Sequence, residues 1–131
     1  LLEDERLASI LFSQYAAGLD PSKTKGGMLA IKKLGEKLPE RKKGEMSHYQ
    51  PFCASHVLYQ GGGKALGGDA RETWSKAMDK VITKQQRDRV AAQAGSWNPD
   101  GVWGKVGGRV YSTAMMALTL QSYYHYAQLA R

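Results

Sequence analysis

Every periodic stretch of this chain repeats its apolar residues at spacings of three and four, and none sustains the strict alternation of a strand. That pattern confines the chain to packed helices. Residues 4–17 place Leu7, Ile10, Leu11, Gln14 and Tyr15 on one face, and Asp4 and Glu5 suit the positive end of a helix. Gly18 and the turn at Asp20-Pro21 end that segment. Residues 24–38 predict a second helix, with Met28, Ile31, Leu34 and Leu38 as its apolar stripe, lysines opposite and Pro39 as its stop. A third runs from Ser47 or Gln50 to Tyr59, with Ser47 as a candidate cap and Pro51 near the first turn, where its missing N–H costs little. Its residues Phe52, Cys53, Ala54, Val57, Leu58 and Tyr59 are apolar over most of the circumference, as in an interior helix.

Glycines 61–63 and 67–68 read as breaks, the first of them as a flexible hairpin connection. A fourth helix, capped by Asp69 and reaching Arg89, is amphipathic through Trp74, Ala77, Met78, Val81 and Ile82. Residues 94–108 read as a long Gly-rich loop carrying Trp97 and Trp103. The last helix, 110–129, bears Ala114, Met115, Ala117, Leu118, Leu120, Gln121 and Tyr124. The first, third and fifth helices are the more apolar, and the second and fourth are amphipathic. That alternation, at a period of roughly 40–50 residues, predicts stacked helical hairpins with an apolar inner layer.

At 131 residues the chain is expected to form one all-α domain, 1–131, with a core of its own. No apolar run reaches the roughly 18–20 residues of a bilayer span. The single cysteine, Cys53, excludes an intramolecular disulfide. Leu1-Leu2-Glu3 has neither an initiator Met nor a signal pattern and reads as a start within a longer protein, so localisation stays open. The net charge of +7 is concentrated in Lys32, Lys33, Lys37, Arg41, Lys42 and Lys43. This run lacks the interleaved aromatics that stack on bases, so it reads as a solvated face running into a loop, and nucleic acid is set aside.

Gln93-Ala94-Gly95-Ser96-Trp97, then Gly107-Gly108-Arg109-Val110-Tyr111-Ser112-Thr113-Ala114 and the helix to Tyr124, resemble the last repeat of squalene cyclase/prenyltransferase-like α/α-toroid proteins. His48 to His56 and Trp74 to Met78 resemble the preceding inner and outer helices of an uncharacterised bacterial branch of that family, and Leu7 to Leu11 a further inner helix. The resemblance implies the terpenoid cyclase fold, here as the C-terminal part of an α/α toroid of about five helices. Small residues Ser112, Thr113, Ala114 and Ala117 then suit inner helices crowded around an axis. Gly95, Gly107 and Gly108 permit the sharp turn before the last of them.

The chemistry of that fold does not carry over. Cyclases protonate their substrate through an Asp-rich cluster, whereas Asp69, Asp79, Asp88 and Asp100 are isolated. The prenyltransferase zinc set needs Asp two residues before the cysteine, where this chain has Pro51. Cys53 and His56 share a helical face but are only two ligands, and His48 or His125 would have to join them. The thioester motif Cys-Gly-Glu-Gln is absent, and the glycines before Lys64 lack the strand and Ser/Thr of a phosphate loop.

The expected function is therefore a non-catalytic binding or interaction module without metal or cofactor. Tyr49, Phe52, Cys53, His56, Tyr111 and Met115 would line a concave inner face, with Trp97 and Trp103 near the end of the barrel and Arg109 placed to orient an anionic group. An apolar small molecule or a peptide segment would occupy that face. Further repeats or a second copy, as a homo-oligomer, would cover the apolar surface left over. The alternative is a fragment of an enzyme whose acids lie in other repeats.

Overall fold

The computed structural model describes residues 2–37, 47–67, 70–85 and 92–129. It is built around α3 (Tyr49–Val57), which packs on α1 (Leu2–Ala16) on one side and on α6 (Gly101–Leu129) on the other. These are the three helices expected to form the inner layer. The amphipathic helices α2 (Lys25–Glu36) and α5 (Ala70–Gln85) pack against this row, with the short α4 (Gly63–Leu66) between them. No strand occurs among the described residues, so the chain is all-α. No described helix is long and apolar enough to cross a membrane.

The core follows from the helical stripes. Ala8 and Leu11 of α1, Ile31 and Leu34 of α2, Cys53, Ala54 and Val57 of α3, and Trp74, Met78 and Ile82 of α5 are buried together with Trp97 and Met116. The Trp74 indole donates to Ser55 Oγ at 3.0 Å, which satisfies both polar groups inside the core. The turn before α2 is equally local in origin. Asp20 accepts from the Ser22 N–H at 3.0 Å, and Thr24 Oγ1 caps α2 through the Gly27 N–H at 3.0 Å.

Three local expectations are corrected. Glycines 61–63 do not break the chain: α3 continues through a π turn, Leu58–Gly62, into α4, and the chain departs from helix at Gly67 with φ 91°. Gly61 is there for close approach, since a Cβ would overlap the Tyr15 hydroxyl and stand 2.8 Å from Ile31 Cδ1. The stretch expected as a loop to Gly108 is helical from Gly101, where buried Gly104 lets the helix pack closely on the Pro99 backbone while Val102, Trp103 and Val106 stay exposed. The true interruption is Gly108, at φ 70° and ψ −167°. Ser47 is not the cap of α3: His48 holds that position, without a side-chain hydrogen bond. Asp69, Asp88, Pro39 and the Arg41–Lys43 run lie outside the described residues.

Candidate functional site

Helix α3 is buried around most of its circumference, and Tyr49, Phe52 and His56, with Tyr59 in the π turn that follows, form its half-buried stripe. Spacings of three and four put them on one face. Glu5, Ser9 and Phe12 form the corresponding half-buried stripe of α1, and Tyr111 and Met115 that of α6. Ring contacts join the first two stripes. Phe12 lies 5.4 Å from Phe52 and 5.5 Å from His56, centroid to centroid, and Phe52 and His56 meet edge-to-face at 4.7 Å.

Electrostatic influence extends across all three helices. The Tyr49 hydroxyl and the buried Cys53 thiol are hydrogen-bonded, which with burial and nearby Tyr111 raises Tyr49 above the usual phenol value. Burial pushes the Cys53 thiol up, the Tyr49 hydrogen bond opposes this, and the Glu5 carboxylate adds to the rise. Tyr111 is raised by burial, then by Glu5 and by Cys53. Cys53 and Tyr111 therefore feel the charge of Glu5, and Tyr49 is coupled to Cys53 and Tyr111, so groups on three helices influence one another. At neutral pH both phenols and the thiol are held in their neutral forms. Glu5 escaped the sequence reading because its place in the first turn of α1 suited the helix dipole and asked for no further role.

The other expected site residues lie elsewhere. Trp97 is buried in the core, where its indole donates to the Ile82 carbonyl at 2.9 Å and its backbone N–H donates to Thr113 Oγ1 at 3.3 Å. Arg109 is engaged by the loop preceding α6, donating to Ser96 Oγ at 3.1 Å and to Asn98 Oδ1 at 2.9 Å. Trp103 is 52% exposed on the first part of α6. Among the described residues, no three of His, Cys, Asp and Glu come together as a ligand set. The His125 side chain lies outside what is described.

Searches against family models, curated proteins and solved structures find no match to this chain.

His48, at the start of α3, is 1% exposed. Its imidazole donates to the Asp100 backbone carbonyl, and Nδ1 has no partner among the described residues. Burial pushes its pKa below the ordinary value, opposed by the Asp100 carboxylate and that hydrogen bond, and burial lowers His56 as well. The unfolded chain therefore binds protons at a higher pH than the folded one. Folding stability should fall as pH drops below the unfolded value of about 6.5, and continue falling until the folded histidines titrate. Thermal melts from pH 7.5 down to 5.5 should show a decreasing Tm, with a shallower slope in His48→Gln. A Tm independent of pH over that range would contradict this.

Proposed function

We propose that the chain is a non-catalytic binding module, the C-terminal repeats of an α/α toroid, whose α1–α3–α6 face holds an apolar ligand or partner segment. The observation that carries the reading is the convergence of three half-buried stripes. Their side chains include Phe12, Tyr49, Phe52, His56, Tyr111 and Met115, presented by adjoining helices rather than scattered over the surface. Aromatic and thioether groups held on rigid helices offer apolar contact at little entropic cost on binding. The adjacency of alternate helices along the row is the relation a toroid requires of its inner layer.

Apolar surface at both ends of the row supports covering by further repeats or by a second copy. Ile10 and Leu19 are exposed at the α1 end, and Val106, Val110 and Leu118 on α6, Val110 being 84% exposed. Light scattering should show self-association at micromolar concentration.

The binding reading is tested by calorimetric titration with decanol, a neutral apolar probe. Phe52→Ala and Met115→Ala should each weaken binding about ten-fold, the scale set by losing a buried apolar side chain. Asp79→Asn, on the exposed side of α5, should leave it unchanged. Absence of decanol binding, or equal binding by all three variants, would overturn the reading.

A further inference from the structure

We propose that the first turns of α6 seat the protein on an anionic lipid surface, with Trp103 and the valines around it entering the headgroup layer and Lys105 meeting the phosphates. This goes beyond the binding reading and is independent of it. The α1–α3–α6 face takes no part, and Ile10, Leu19 and Leu118 are left to further repeats or a second copy.

Its basis is the outward side of residues 101–107. Val102 is 71% exposed, Trp103 52% and Val106 79%, and helical spacing puts the three on one side of this stretch. The opposite side is fixed. Gly104 is buried, and a Cβ there would stand 2.8 Å from the Pro99 carbonyl carbon. Rolling the stretch inward would therefore drive a side chain into the Pro99 backbone. Val110, just past the break at Gly108, stands exposed as well. Trp103 differs from the other two tryptophans. The Trp74 and Trp97 rings are buried and their indoles donate within the core, whereas the Trp103 indole donates to no described residue. A ring with an apolar body and an open N–H is what bilayer interfaces collect. Charge selects the kind of surface. Lys105 lies exposed at the edge of the patch, and no Asp or Glu follows Asp100 to the end of the sequence. A net charge of +7 draws the chain to anionic lipid, and this patch meets it with a cation and no carboxylate. A second copy is a poorer occupant. Four side chains fall far short of the roughly 20–30 residues, about 800 Å², that each partner buries in a specific protein interface, and a twofold contact would set like charge beside like charge. Insertion into lipid has no such threshold, because each apolar side chain contributes through its own area.

The test uses submicromolar protein, below the concentrations at which self-association is expected, and vesicles of phosphatidylcholine alone or with about one-third phosphatidylglycerol. With Trp74 and Trp97 buried, Trp103 is the tryptophan whose emission can respond. It should shift to the blue on the anionic vesicles and be quenched by lipids brominated in the acyl chain. Co-sedimentation with these vesicles should weaken about ten-fold in Trp103→Ala and in Val106→Ser. Lys105→Gln should weaken it about five-fold, and on anionic vesicles alone. The substituted side chains are exposed, so the variants stay folded, which far-UV circular dichroism confirms. Absence of binding to the anionic vesicles would overturn the proposal. Binding undiminished in Trp103→Ala and Val106→Ser would also overturn it, as the general attraction of a basic chain. A blue shift that grows with protein concentration without vesicles would give the patch to a second copy instead. None of these results bears on the decanol titration, so the two readings fail separately.

Discussion

Trp97→Ala should destabilise the folded chain by about 3–5 kcal/mol, the cost of emptying a buried aromatic site whose surroundings cannot fully collapse. Trp97 is 4% exposed and joins two parts of the structure that are otherwise only lightly in contact. Its indole donates to the Ile82 carbonyl in the last turn of α5, where helix carbonyls lack partners of their own. Its backbone N–H reaches Thr113 on α6. The substitution therefore removes packing volume and leaves a carbonyl beside fully buried Ile82 without its donor. Set against a typical domain stability of about 5–15 kcal/mol, this is a large fraction of the total. Trp103→Ala offers the contrast. That ring is half-exposed, and its loss should move stability by no more than about 0.5 kcal/mol. Urea unfolding followed by circular dichroism compares the two variants directly. Equal destabilisation would mean that Trp97 does not hold α5 and α6 together.

The helices could be read from the chain because apolar spacing is a one-dimensional record of burial. Ile31 and Leu34 on α2, and Trp74, Met78 and Ile82 on α5, are buried where their stripes place them. Helix α6 shows where that record fails. Its buried stripe is Ser112, Met116, Thr119 and Ser122, while Ala114, Ala117 and Leu118 are exposed. Apolarity alone points to the wrong face, because small hydroxylated residues can be buried when their own helix satisfies them. Thr119 donates to the Met115 carbonyl at 2.8 Å and Ser122 to the Thr119 carbonyl at 2.7 Å. The aromatic face was partly legible. Tyr49, Phe52 and His56 share a helical face by spacing alone, but their meeting with Phe12, Glu5 and Tyr111 depends on packing between helices far apart in sequence. No local pattern records that. Arg109 is a further case, since its hydrogen bonds to Ser96 and Asn98 depend on the course of the loop before α6, which no spacing in the sequence records.

Gly108→Ala should destabilise the protein by about 1–3 kcal/mol, the range for a residue with a Cβ forced into a backbone region that in practice only glycine occupies. At φ 70° and ψ −167°, Gly108 interrupts α6 and sets the direction of the segment that carries Tyr111 and Met115. A Cβ at this position would meet nothing within 4 Å, so the cost is conformational and not a clash. Two responses are open to the variant. It can keep the native backbone and bear the strain, or it can relax toward a continuous helix and swing Tyr111 away from Glu5 and Cys53. Both lower stability, and only the second disturbs the face. Gly26→Ala separates these effects from any general response to adding a methyl group. Gly26 lies in the first turn of α2 with open space around it and no positive φ, so alanine there should stabilise by about 0.4–1 kcal/mol. Opposite signs for the two substitutions in urea unfolding are the expected result. A neutral or stabilising Gly108→Ala would show that the interruption is not imposed by the fold. Tyrosine resonances followed by NMR then report whether the strained backbone has held, since Tyr111 keeps its native environment only if the break at Gly108 persists.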